Sequence, residues 1–513
     1  MRKSSLFLFV IVLSFASCDV NVDIVTDDIS QKRLRFSSFG FRAEDNIELA
    51  SDYIIDNANC DTLCFFIQEL NNVSFLIPSF SCEYIIAKVE ETIVESGNCA
   101  QDFNSIVKFN LEDKSGHRDS CFVKVVCANG IPIINIKTEG NAEIISKEDY
   151  INAKIRINNC PEFGVIDTNC SVRGRGNATW MRYPKKPYKI KFEKKQAPFG
   201  FQSDKDFVLL ADFTDKSLMR TAYMFEIAQA VGLEDVLKYK HVEVILNSDY
   251  LGTYVFTEQV EKDRVEIDDD GFIIEEDTYF AEEPYYFTSK HFKKNYTFKY
   301  PKVNRENNDS RYIQSYIDNL EDALLQLKDD VNNSYVFELI DIVSFAKWYI
   351  VSEITGNLDP NIYYTLPSRG GKLKMGPIWD AEWSLGLACK GNPNNPYGWF
   401  FWSSQHAPMG PMEEFWNKEG YFKYLFSSPI FKECVKAQWS NCKESLKEKQ
   451  CYLKNLASSL LFTQHHNFER WPMLDEHSGG TLIICGGWKE EVDYVERWLS
   501  DRIEWFNDFV VNL

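Results

Sequence analysis

The order of local patterns predicts an α+β chain in which a small all-β sandwich precedes a larger, two-lobed body. Between residues 34 and 128, short β-rich runs at 63–67, 73–77, 84–89, 106–110 and 121–127 are separated by turn residues, a spacing that predicts a sandwich. Strands continue from about residue 132, and beyond about residue 257 helical periodicity takes over. A strand-rich half followed by a helical half is the layout of a two-lobed enzyme. The 513 residues, 44% of them hydrophobic, suffice for two or three domains with their own cores. A formal net charge of -20 argues against nucleic acid as a partner and against electrostatic docking to anionic lipid.

The first residues read as an address. Arg2 and Lys3 precede an apolar run at 6–15, too short to span a bilayer and typical of a signal peptide. Phe15-Ala16-Ser17-Cys18 resembles the lipobox of bacterial lipoproteins, which implies a leader at 1–17 and acylation of Cys18. Asp19 and Asp23 follow, as in surface lipoproteins of the Bacteroides type. An ordinary secretory signal with a chance cysteine is the alternative. The resemblance places the protein in the cell envelope, at the outer membrane or cell surface, attached by acyl chains through a polar tether at 18–33. No later run reaches the roughly 18 apolar residues of a membrane helix. Fourteen cysteines less Cys18 leave 14 − 1 = 13. Cys60 with Cys64 and Cys160 with Cys170 are the closest pairs, and export permits disulfides whose pairing the sequence leaves open. The segment 34–129 is similar in pattern to the immunoglobulin-like modules that precede catalytic domains in such lipoproteins, and reads as a spacer before a body at 130–513.

That body opens with strands at 133–136 and 153–157. Next come the loop Arg173-Gly174-Arg175-Gly176 and a lysine-rich strand at 185–192. Asp215 is suited to cap a helix over 216–231, which Gly232 would end. Strands at 241–246 and 252–257 flank a turn at Asn247. The final helix carries Val495, Trp498, Leu499, Ile503, Phe506 and Phe509 on one face, a core stripe.

The chemistry concentrates between Asn357 and Trp383. A helix at 343–355 leads to Asn357-Leu358-Asp359-Pro360-Asn361, then strands at 362–366 and 373–378 joined at Arg369-Gly370-Gly371, then Asp380. Antiparallel strands of similar length return to their origin, so Asp359 and Asp380 are expected at one end. Phosphoryl transfer needs one carboxylate to orient the substrate hydroxyl and another to hold a metal bridging the phosphates. Their separation, 380 − 359 = 21, is close to the base-to-metal interval of protein kinases.

These segments resemble the signature of the CotH spore-coat kinase family. So do Arg173 to Trp180, Lys186-Pro187-Tyr188-Lys189-Ile190-Lys191, Asp215 to Arg220 and Gly252 to Gln259, over roughly residues 132–510. The resemblance implies an atypical kinase that uses ATP with Mg2+ or Mn2+ to phosphorylate serine or threonine of an envelope protein. It also implies Asp359 as catalytic base, Asp380 as metal ligand and Asn361 as second metal ligand. Asn361 lies two residues after the base, where ordinary kinases have five. Gly174 and Gly176 are half of a glycine-rich phosphate loop. Lys191 is the candidate for the phosphates, with Lys189 sharing its face. Glu226 is the candidate partner for that lysine, Glu258 for the nucleoside, and Arg220 for a phosphate. The family also leaves open a pseudokinase or an adhesion lipoprotein that keeps the fold as a scaffold. A glycosidase built on two carboxylates is a further class, but no motif supports it. ATP is scarce outside the cytoplasm, so the donor's source stays open.

Overall fold

The computed structural model describes residues 33–513 apart from 48, 50–51, 57, 59–60, 68–72, 83–84, 128–130, 161, 358–360, 388–395, 398–419 and 478–480. The expected leader and nearly all of the tether, with Cys18, lie outside the described residues, as do Cys60 and Asp359. No helix among the described residues is long and apolar enough to cross a membrane.

The expected α+β class is the one observed. The N-terminal segment forms two sheets, one ordered Tyr53–Asp56, Ser38–Phe41, Ser79–Ser81, the other Thr62–Ile67, Arg118–Cys127, Val107–Asp113, Ile85–Val89, Thr92–Ile93. Both contribute to one core in which Phe36, Phe39, Phe41, Phe65 and Phe109 are buried. The expected strand at 73–77 is reduced to a single bridge, Leu76 to Gln101. Its neighbours Ser38–Phe41, Tyr53–Asp56 and Ser79–Ser81 were not anticipated, because three or four residues are too few to establish a period.

The next seven strands close a barrel in the order Ile151–Asn158, Ile166–Gly174, Tyr188–Gln196, Asp204–Leu210, Asp249–Thr257, Tyr239–Leu246, Ile133–Thr138. Closure comes from a parallel pairing of the last two. Period-2 alternation sends Ile134, Ile136, Ile155, Ile190, Phe207 and Phe256 into the lumen, all buried in one cluster. Cys160 and Cys170 are both free thiols.

A second sheet follows, ordered Tyr286–Thr288, Asn295–Tyr300, Phe272–Glu276, Ile362–Leu366, Lys374–Met375. It packs with the helices Asn308–Gln326, Ile342–Thr355, Pro429–Ser459 and Trp488–Val510 around the largest core. Five of the six stripe residues of the last helix, Val495, Trp498, Leu499, Ile503 and Phe506, are buried there. The helix expected from 216 begins instead at Arg220. The Asp215 carboxylate accepts from the Ser217 N–H at 3.0 Å and the Arg220 N–H at 2.7 Å, so it closes a turn ahead of the helix. Gly232, at φ 76, ends that helix as expected.

The short helix Thr463–Arg470 straps the outside of Asp249–Thr257. Asn467 Oδ1 accepts from the Thr253 N–H at 3.1 Å, and Lys124 of the N-terminal segment pairs with Glu469 at 2.6 Å. Beneath the strap lies Glu243, 2% exposed, accepting from Thr463 Oγ1 at 2.7 Å and the Tyr250 hydroxyl at 3.1 Å. Burial pushes its carboxyl up to about 7, from an ordinary 4.5. The native state therefore holds this proton more tightly than the unfolded chain, and stability falls as pH rises from about 4.5 through about 7. Glu243→Gln is expected to raise the melting temperature at pH 8, with little change at pH 4.5. Equal effects at the two pH values would contradict a buried, reluctantly ionised carboxyl.

Candidate active site

A cleft of about 390 Å³ opens between the barrel wall around Arg175 and Asp212 and the second sheet around Glu275, Asn361 and Asp380, a size suited to a small ligand. Its geometry starts from the hairpin. The return strand pairs only twice, Tyr364 with Met375 and Thr365 with Lys374, because Pro377 has no N–H to continue the ladder. Pairing resumes at one bridge, Asn361 to Trp379. That bridge brings Asn361 beside Asp380 at the mouth of the cleft; Asp359, the partner expected for Asp380 there, lies outside the described residues.

Asp380 is exposed to the cleft and sits at φ 60, the left-handed region that most residues avoid. Asn357, 1% exposed, donates its Nδ2 to the Asp380 carbonyl at 2.9 Å and pins that conformation. Across the sheet, Glu275 accepts from Asn361 Nδ2 at 2.5 Å and pairs with Lys299 at 2.6 Å. An ionised carboxylate only accepts, so the Asn361 amide must present its nitrogen to Glu275. Its oxygen is left for the cleft. A carboxylate beside a carboxamide oxygen held by a supporting carboxylate fits a hard divalent cation. Among the described residues, no group of three or more His, Cys, Asp or Glu is arranged to hold a metal.

The rear wall is acidic and buried. Glu382 accepts from Thr214 Oγ1 at 2.5 Å and from the Thr214 N–H. Asp212, 7% exposed, has an Oδ2 with no hydrogen-bond partner among the described residues. Burial, reinforced by the charges of Glu382 and Asp215, raises the pKa of Asp212 well above the usual range, and burial with the charge of Asp215 moves Glu382 in the same direction. Behind them Lys185 is 1% exposed and donates to Asn467 Oδ1 at 3.1 Å and to the Thr253 carbonyl. Burial lowers its pKa to about 7, against the pull of Asp212.

Of the residues singled out in the sequence, Gly176, Asn361 and Asp380 line this cleft; Gly174, Lys191, Arg220, Glu226 and Glu258 do not. Gly174 lies under the Trp180 ring, where a Cβ would come within 2.4 Å of ring carbon. Lys191 is exposed on the outer face of the barrel, opposite Ser171 and Asp206, because its neighbours Ile190 and Phe192 fill the lumen. Glu226 accepts from the Tyr239 hydroxyl at 2.9 Å and pairs with Lys449. Glu258 accepts from the Lys238 N–H at 3.0 Å and faces Arg264 at 3.5 Å. Arg220, expected at a phosphate, is wholly buried. It donates to Asp215 at 2.5 Å and to the Ser384 carbonyl at 3.0 Å, joining the barrel side to the segment after Asp380. The sequence reading missed Arg175, Asp212, Glu275, Lys299 and Glu382. Two carried a signal: Arg175 stands between the two glycines, and Glu382 follows Asp380 by two residues.

A protein-family model described as "CotH kinase protein" matches residues 172–506, more than half of the chain. The class is therefore that of kinase-like proteins of atypical type. The chain belongs to the CotH kinase protein family. A comparison with curated proteins finds no match.

Because Arg220 leaves a buried Asp215 behind when removed, Arg220→Met is expected to cost about 3–5 kcal/mol of stability, measured by urea unfolding. Unchanged stability with weakened nucleotide binding would restore Arg220 as a phosphate ligand.

Proposed function

We propose that the protein is an exported kinase, anchored in the cell envelope through Cys18, that phosphorylates serine or threonine of an envelope protein with ATP and Mg2+ or Mn2+. In this reading the barrel and the helical half are the two lobes of a kinase, with the cleft between them. The N-terminal segment is an immunoglobulin-like spacer that holds the lobes away from the membrane. One observation carries the proposal: the bridge Asn361 to Trp379 sets a carboxamide and the Asp380 carboxylate side by side at the mouth of a polar cleft.

Asp359 precedes Asn361 by two residues and is the proposed base, accepting the proton of the acceptor hydroxyl. Asp380 and the Asn361 oxygen would hold the cation, which when bound neutralises charge on the phosphates. Glu275 keeps the Asn361 amide in register. Asn357 keeps Asp380 facing the cleft. Burial disfavours the ionised forms of Asp212 and Glu382 behind the site.

The test is metal-dependent labelling of the protein itself or of a generic acceptor by ATP. Asp380→Asn keeps the side-chain shape and tolerates the left-handed backbone, so it is expected to fold normally and lose metal-dependent transfer. Asp359→Asn is expected to lower the rate about 10²–10⁴-fold. A folded wild-type protein that neither binds ATP nor transfers phosphate with either metal would overturn the proposal.

A further inference from the structure

If phosphates enter this cleft, something cationic must meet them, and the usual kinase solution is a lysine on a strand of the smaller lobe. The lysines nearby are already committed. Lys189 pairs with Asp206 at 3.0 Å and lies 3.8 Å from Glu261 on the outer face that Lys191 shares. Lys186 donates to the Trp180 carbonyl at 2.5 Å. Lys185 is bound into the strap through Asn467. Lys299 reaches the cleft but is held by Glu275 at 2.6 Å.

Arg175 differs from all of these. It lines the cleft half-buried, its guanidinium 5.6 Å from the centre of the Trp379 ring and within electrostatic reach of Asp380 and Glu275. Yet its side chain makes no hydrogen bond or ion pair with any described residue. Its backbone, by contrast, is fixed. The Arg175 N–H donates to the Pro187 carbonyl at 3.2 Å. Gly174 is pressed under Trp180, and Gly176 turns the chain at φ 78. The two glycines thus set one arginine on the cleft wall rather than wrapping a phosphate with backbone. Desolvation there lowers the guanidinium pKa, but arginine stays charged where a lysine would lose its proton. A desolvated cation without a partner is costly unless an anion completes it, and the guanidinium fork matches phosphate oxygens two at a time.

We propose that Arg175, rather than Lys191, grips the phosphates of the nucleotide. This rests on the kinase reading and deepens it. The phosphates would lie between Arg175 on the barrel wall and the Asn361–Asp380 pair on the hairpin, with the ring of Trp379 beneath the guanidinium.

The experiment is calorimetric titration of the full exported chain, wild type and Arg175→Met, Arg175→Lys and Lys191→Met variants, with ATP, inorganic tripolyphosphate and adenosine, Mg2+ present throughout. Arg175→Met is expected to weaken ATP and tripolyphosphate at least tenfold and leave adenosine unchanged. Arg175→Lys should restore part of the loss, and Lys191→Met should match wild type. Thermal melting checks that each variant is folded. Should Arg175→Met fail to fold, a three- to tenfold loss in folded Arg175→Lys, confined to the phosphate ligands, supports the same conclusion. Wild-type affinity in the Arg175 variants, or a loss in Lys191→Met alone, overturns the assignment while leaving the kinase reading intact. Wild-type protein that binds neither ATP nor tripolyphosphate overturns both.

Discussion

Arg220 has no contact with solvent, and its guanidinium bridges parts of the chain more than 160 positions apart: Asp215 ahead of its own helix and the carbonyl of Ser384 behind Asp380. Much of the cleft depends on this junction. Leu385, next in sequence, donates its N–H to the Thr355 carbonyl at 2.7 Å. The last turn of helix Ile342–Thr355 is thereby held to the stretch that leaves the cleft. Trp488 donates its indole N–H to the Ser217 carbonyl at 2.9 Å and locks the C-terminal helix onto the same turn. A buried ion pair of this kind adds little net stability over a hydrophobic equivalent, because both groups were desolvated to make it. What it supplies is a single permitted arrangement of three segments, which a packed apolar contact would specify less sharply.

The same division of labour recurs around the mouth. Asp380 and Asn361 face the ligand space, while Asn357 and Glu275 hold them from behind. Arg502 and Glu353, both fully buried and 2.7 Å apart, fasten the last turn of helix Ile342–Thr355 to the C-terminal helix. The groups able to do chemistry sit on short connections. Of the groups that aim them, Glu275 sits in a strand and Asn357 just past the end of helix Ile342–Thr355, both buried where packing fixes their rotamers.

What the sequence disclosed and what it withheld follow one line. The alternation of Ile190 and Phe192 against Lys189 and Lys191, the C-terminal stripe and the glycine at the end of helix Arg220–Val231 were legible because each is set by local periodicity or local backbone chemistry. So was the meeting of the two ends of the hairpin, since antiparallel pairing guarantees it. Lys191 shows the limit. Parity correctly put Lys189 and Lys191 on one face and Ile190 and Phe192 on the other. Which face meets the cleft is decided by barrel closure through the parallel pairing of Ile133–Thr138 with Tyr239–Leu246, a contact over more than a hundred residues. Glu275 and Asp212 gave no sign for the same reason: an acidic residue at a strand end has no local mark of what will lie across from it. Arg220 looked like a ligand for phosphate because it matches the family pattern and a guanidinium suits phosphate, and only the closed core reveals that its acceptors are internal.

The left-handed turn at Asp380 bears on how such a chain would age. A residue with a Cβ in that region costs about 1–2 kcal/mol against glycine, so selection for folding alone would let the position drift to glycine. Drift of that kind is cheap, since one substitution relieves strain and disturbs no packing. An aspartate there keeps a carboxylate that glycine would lose. Lineages of this fold that have given up their chemistry should therefore betray it first at this turn, before any change reaches the cores.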